Sequence, residues 1–222
     1  MSYRLYLHPF SSFCQKVVIA LYEREIPFEP VKIDLPDPDQ RAQLAALWPM
    51  AKFPVLRDEA RGVTVPESSL IVEYLDRVHP GAPLVPADPD AALEVRILDR
   101  FFDQYVQGPM QKVVADNFRP EGAGDAWGVE DSRSQLTRAW DIAEERLAAN
   151  GGPWAAGSEF TLADCAAAPA LFYANIAQPF AGHPWLEAYY ARLVDRPSVA
   201  RAIDEGRPYR NFLPLAWPDS YT

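Results

Sequence analysis

Four short stretches carry residues whose types and spacing could do chemistry. The first is Ser11-Ser12-Phe13-Cys14, where a strand-like run ends at Pro9 and a helical pattern begins. A helix start presents unpaired N–H groups and the positive end of the dipole, which together favour an anion. A hydroxyl there can donate to a thiolate. Lowering a thiol pKa from about 8.5 to about 6.5 takes roughly 2.7 kcal/mol. A helix N-terminus supplies up to ~2 kcal/mol, and a hydrogen bond to a charged acceptor roughly 1.5–3 kcal/mol. Ser11 is therefore a candidate thiol-activating residue; as a plain N-cap it serves folding only. Cys14 competes as a nucleophile. Close to the helix start its pKa would be depressed; packed with Phe13 and Val17 it is a small core hydrophobe.

The second stretch is Lys52-Phe53-Pro54-Val55-Leu56. A proline leading into a strand suits an edge or a special turn. A cis Phe53–Pro54 bond would turn the Phe53 backbone outward and offer its N–H and C=O to an extended ligand. The third is Pro66-Glu67-Ser68-Ser69-Leu70, an acid and a hydroxyl at another helix start. Glu67 would take an ammonium, and Ser68 with its N–H a carboxylate, which makes a receptor for an α-amino-acid head group; the alternative is an ordinary cap. The fourth is Gly157-Ser-Glu-Phe-Thr161-Leu-Ala-Asp164, where Thr161 and Asp164 have the spacing of a capping box.

Other reactive residue types give less. His8, His79 and His183 each precede a proline and share no metal-ligand spacing. Surface or cap roles are expected for them, and no metal. Cys165 stands among alanines, as a core residue would. Tyr105, Met110 and Trp127 stand in the helical part, where aromatic and Met positions at helical spacing more often build a core.

These residues need elements to position them. Tyr3–Leu7 reads as a strand. Phe13, Val17, Ala20 and Leu21 fall on one face of a helix that stops before Pro27. Val31–Asp34 reads as a second strand, and Gln40–Leu47 as a weak helix. Val55-Leu56 and Val63–Val65 read as a hairpin, followed by a helix from a Ser68 cap to Val78. Residues 1–80 thus form a small α/β module with a mixed sheet. Residues 81–88 form a proline-bearing linker. From residue 89 to 222 everything looks helical: one long helix from Leu93 toward Phe118, one through Leu136–Leu147, a very apolar one at Leu162–Ala174, and two shorter ones. From Gly206 onward the sequence is rich in aromatics and prolines and has no period.

Composition excludes several classes. The chain has 222 residues, 49% apolar and 23% charged, so it is globular and long enough for a sizeable core. Its net charge of −10 argues against a nucleic-acid footprint and an anionic membrane surface. Two cysteines, no secretory h-region and no run of 18 apolar residues suggest a reducing, cytoplasmic setting.

Taken in order, S11-S-F-C-Q-K-V, P49-M-A-K-F-P54-V-L, P66-E-S-S-L-I and G157-S-E-F-T-L-A-D164 resemble the cytosolic glutathione S-transferases, bacterial serine-type members in particular. The resemblance runs through essentially the whole chain. It implies a thioredoxin-like N-terminal domain, a short linker and an all-helical C-terminal domain. It implies glutathione as co-substrate, with Ser11 activating its thiol, Pro54 as the family's cis-proline and the Phe53 backbone pairing with the cysteinyl part. Glu67 and Ser68 would hold the γ-glutamyl group, Lys52 the glycine carboxylate, with Arg41 a weaker candidate. It implies a small hydrophobic electrophile as the other substrate, in an acceptor site for which Tyr105 and Met110 are candidates, and a two-fold homodimer. Trp48-Pro49-Met50-Ala51 departs from the Asn-Pro and Gly-Lys common in bacterial members, and Ser-Ser-Phe-Cys mixes serine-type with cysteine-type features, so thiol transfer through Cys14 stays open. Two alternatives follow: a non-catalytic scaffold that docks a protein partner through the C-terminal tail, as some bacterial cell-division regulators do, and a glutathione-dependent isomerase or dehalogenase.

Overall fold

The computed structural model describes residues 2–217. Four strands, β1 (Tyr3–Leu7), β2 (Glu29–Lys32), β3 (Val55–Asp58) and β4 (Val63–Pro66), form a sheet in the order β2-β1-β3-β4. β1 pairs in parallel with β2 and antiparallel with β3, and β3 with β4 is the expected hairpin. Alternation along the strands builds two apolar layers. Tyr3, Leu5, Leu7 and Leu56 point into the main core, under α1 (Ser12–Glu23) and α3 (Ser68–Val78). Tyr6 and Val55 point the other way and pack with Ile33 and with Leu44 of α2 (Pro38–Leu47). Trp48 packs on the edge of this smaller layer.

The rest is helical: α4 (Pro89–Phe101), α5 (Gly108–Asp116), α6 (Ala126–Asn150), α7 (Leu162–Ala177), α8 (Pro184–Asp195) and α9 (Pro197–Gly206). α7 is the hub. Leu162–Ala174 is buried throughout, which is why it is apolar all round. It packs on α1, α4, α5 and α8. The long helix expected from Leu93 to Phe118 is not uniform. Phe102–Gln107 is a six-residue π-helical segment between α4 and α5. Such wider turns are rare and often mark functional positions. After α9 the chain makes a 3₁₀ turn, Arg207–Phe212, and folds back toward the β1–α1 turn. Among the described residues no helix is long and apolar enough to cross a membrane.

Candidate functional site

Three backbone features face one another's neighbourhoods. Ser11 is the N-cap of α1, with extended φ of −82° and ψ of 123°. Its Oγ accepts one long hydrogen bond, 3.4 Å, from the Cys14 N–H. The residue is only partly buried, and its hydroxyl also stands beside the Cys14 thiol. The Phe53–Pro54 bond is cis. The Phe53 ring stacks 6.2 Å from the His8 ring, and His8 C=O accepts the Ser11 N–H at 3.0 Å, so the proline loop and the Ser11 turn are physically joined. Among the described residues, no hydrogen bond occupies the Phe53 amide or carbonyl.

Glu67 is the third feature. It has φ of 69° and ψ of 120°, a conformation that costs a side-chain-bearing residue about 1–3 kcal/mol. Ser68 was expected to cap α3. Instead Glu67 holds the N-cap position without a side-chain bond, and Ser68 is the first helical residue. The strain points the exposed Glu67 and the α3 N-terminus at a common space. That space is a cleft of about 500 Å3 running from Glu67 and Ser68 past Phe13 to Arg100 and Gln104. The Glu67 carboxylate and the helix-start N–H groups are what a zwitterionic head group needs.

Beneath the cleft lies an ionic cluster that the sequence reading missed. Lys16, 1% exposed, sits on the buried side of α1. Its Nζ donates to Ser69 Oγ at 2.9 Å and Asp103 Oδ2 at 2.8 Å, and lies 2.5 Å from Asp99 Oδ1. Ser69 donates to Asp99 at 2.8 Å. Arg100 closes the cluster from the cleft side, 2.9 Å from Asp99 and 2.7 Å from Asp103, and also contacts Ser69 Oγ. Two cations and two carboxylates balance. Burial pushes the Asp103 carboxyl above its ordinary value, and Lys16 pulls it back.

Several expectations need correction. Cys14 is fully buried, and burial pushes its thiol up to about 12, against the smaller downward pull of Ser11 and the His8 backbone. A thiol in that state is an unreactive core group, not a depressed nucleophile. Met110 is 4% exposed within the main core and lines no open surface. Tyr105 is 60% exposed, in a different cleft of about 550 Å3 with Phe101, Gln135 and Ile142. Trp127 is 79% exposed. Lys52 is exposed at the entrance to the proline loop. His8 is not a surface residue: it is 6% exposed among aromatic rings.

Comparison with known proteins supplies the family and the fold. Residues 5–83 match the family model "Glutathione S-transferase, N-terminal domain", and residues 125–192 the corresponding C-terminal domain. A glutathione S-transferase of Pseudomonas putida is 32% identical over 165 residues, 72% of this chain and 70% of its own. A probable maleylacetoacetate isomerase of Caenorhabditis elegans is 26% identical over 205 residues, 92% of this chain and 94% of its own. Among solved structures, a glutathione S-transferase of Methylobacillus flagellatus with glutathione bound superposes with a TM-score of 0.81 at 28% identity, covering 90% of this chain and 98% of that one. The class is thus a thioredoxin-like mixed sheet joined to a helical layer. The chain belongs to the glutathione S-transferase family, whose cofactor is glutathione.

Proposed function

We propose that the protein is a glutathione-dependent transferase acting on a small, apolar electrophile. The observation that carries this reading is the Ser11 turn: a partly buried N-cap serine, its hydroxyl accepting one long backbone bond, joined through His8 to the cis-proline loop. Glu67 and Ser68 take the γ-glutamyl ammonium and carboxylate, and the Phe53 backbone pairs with the cysteinyl unit. Lys52 reaches the glycine carboxylate. The sulfur then lies at Ser11, where hydroxyl and helix start supply the roughly 2.7 kcal/mol that two units of thiol acidification require. The thiolate attacks the electrophilic carbon, a C–S bond forms, and the leaving group departs with its electron pair.

The maleylacetoacetate isomerases among the relatives favour a second reading at the same site. There the thiolate adds to a cis double bond, the resulting single bond rotates, and the thiolate leaves. A homodimer is supported by exposed apolar residues on α3 and α4, Leu70 at 55%, Leu93 at 57% and Ile97 at 45%, which a second copy would cover.

Titrating glutathione to several millimolar while following Tm tests the binding half. Saturation at 100 times Kd stabilises by ~2.7 kcal/mol, a rise of several degrees at roughly 2–4 °C per kcal/mol. Parallel assays with an aryl halide and a cis-enone separate conjugation from isomerisation. No thermal shift and no turnover of either would overturn the enzyme reading in favour of a scaffold.

A further inference from the structure

We propose that His8 is the positioning residue of the Ser11 turn, working as a neutral imidazole inside an aromatic cage that the C-terminal segment closes. The inference rests on the reading of Ser11 as the thiol-activating group. His8 holds the turn twice. Its C=O accepts the Ser11 N–H at 3.0 Å, and its Nδ1 accepts the Phe10 N–H at 3.2 Å. The same turn is fixed from the helical side: Gln15 Nε2 donates to Pro9 C=O at 3.0 Å and Tyr173 OH to Phe10 C=O at 3.1 Å. A ring nitrogen that accepts a hydrogen bond carries no proton, so the proton of His8 resides on Nε2.

The cage decides what happens on acidification. Tyr209 meets the imidazole edge-on at 4.7 Å, Phe212 lies at 5.5 Å, and Phe53 stacks at 6.2 Å. Tyr209 and Phe212 belong to the segment after α9, more than 190 residues from His8 in sequence. Trp217 of the same segment packs 6.3 Å from Phe10. His8 Nε2 is buried and has no hydrogen-bond partner among the described residues. The charged groups facing it come from the end of β2 and the loop beyond: Asp34 Oδ1 at 3.6 Å, which favours a proton, and Lys32, which disfavours one and lies 5.4 Å over the Tyr209 ring. Burial outweighs both and holds His8 below the ordinary histidine value. A second proton would enter at Nδ1 and face the Phe10 N–H, donor against donor. The bond that sets the turn would break, and Ser11 Oγ would move from the sulfur.

The test uses the full chain loaded with glutathione. The pH dependence of kcat/KM is measured for wild type, His8→Asn, His8→Leu and the Tyr209→Ala/Phe212→Ala pair. Asn keeps an acceptor for the Phe10 N–H but does not titrate. Below both transitions, wild type should lose about a hundredfold per pH unit, one factor of ten for the thiol and one for His8. His8→Asn should retain most of the neutral-pH rate and lose only about tenfold per unit. His8→Leu should lower kcat at every pH while leaving glutathione Kd within about twofold. Opening the cage should move the His8 transition upward, read directly by NMR of the three histidine rings. A wild-type limb of single slope, a double slope persisting in His8→Asn, or an unchanged kcat in His8→Leu would overturn the proposal while glutathione binding stood. Failure to bind glutathione at all would remove the Ser11 reading, and the proposal with it.

Discussion

Two helix starts in this protein are built from the same kinds of residue and put to opposite uses. At α7, Asp164 is fully buried and accepts from Ala155 N–H at 2.8 Å, Thr161 N–H at 2.8 Å, Thr161 Oγ1 at 3.1 Å and Tyr189 OH at 2.7 Å. At α1, Ser11 is only partly buried and its Oγ accepts one backbone bond of 3.4 Å. The first start is saturated and has nothing left for a ligand; the second is kept under-used. What distinguishes a folding cap from a candidate active site here is spare hydrogen-bonding capacity in reach of solvent, since the residue types alone are alike.

Breaking the saturated start should have the largest effect. Asp164→Ala strands four buried donors at roughly 1–3 kcal/mol each, so a loss of at least about 4 kcal/mol and ~8–16 °C in Tm is expected. Calorimetry checks it, and Tyr189→Phe should cost only a fraction of that. Lys16→Met belongs beside it. Removing one partner of a buried ion cluster costs roughly 3–5 kcal/mol, and denaturant unfolding reads it.

Breaking the open start should leave stability nearly alone. Ser11→Ala removes a bond to a developing thiolate worth roughly 1.5–3 kcal/mol. A ten- to hundredfold fall in kcat, with Tm within about 2 °C of wild type, is expected. A Tm loss matching that of Asp164→Ala would erase the contrast. Glu67→Gly sharpens it further: relief of the φ of 69° should raise stability by about 1 kcal/mol while glutathione affinity falls at least tenfold. Cys14→Ala should leave turnover near wild type, and a thiol reagent at neutral pH should fail to label native Cys14, whose thiol sits at about 12.

The smallest effect is in pH. The unfolded chain protonates His8 near pH ~6.5, while the native imidazole, held lower by burial, stays neutral. Native stability should therefore fall as pH drops below that point, relative to His8→Asn, by a fraction of the total. Parallel urea titrations at neutral and mildly acidic pH measure the difference.

Much of the fold was legible in the sequence because its signals are local. Strand alternation, helical periodicity and the Pro66-Glu67-Ser68 start all lie within a few residues, and the structure has the expected succession of elements, mixed sheet and hairpin. What was missed depends on distance along the chain. Lys16 meets Ser69 and Asp103 from 53 and 87 residues away, and nothing near Lys16 announces either. His8 looked like a pre-proline surface residue because its cage arrives from the far end of the chain. The π segment changes hydrogen-bond spacing without changing composition, so Leu93–Phe118 kept the look of one helix. Tyr105 and Met110 were paired as candidate walls, yet one faces outward and the other the core. Periodicity finds the faces of a helix but leaves open which partner covers each.

The Lys16 cluster also bears on how this protein can be divided. Its ammonium and one hydroxyl come from α1 and α3, its two carboxylates and guanidinium from α4 and the π segment. Cut between α3 and α4, the sheet half keeps a lone buried cation, and the helical half keeps two acids with a single arginine. Neither fragment is electrically whole. Chimeras exchanging either half with a relative would have to carry Lys16, Asp99, Arg100 and Asp103 across as one unit, so the natural seam of inheritance runs through charge rather than through the loop that joins the halves.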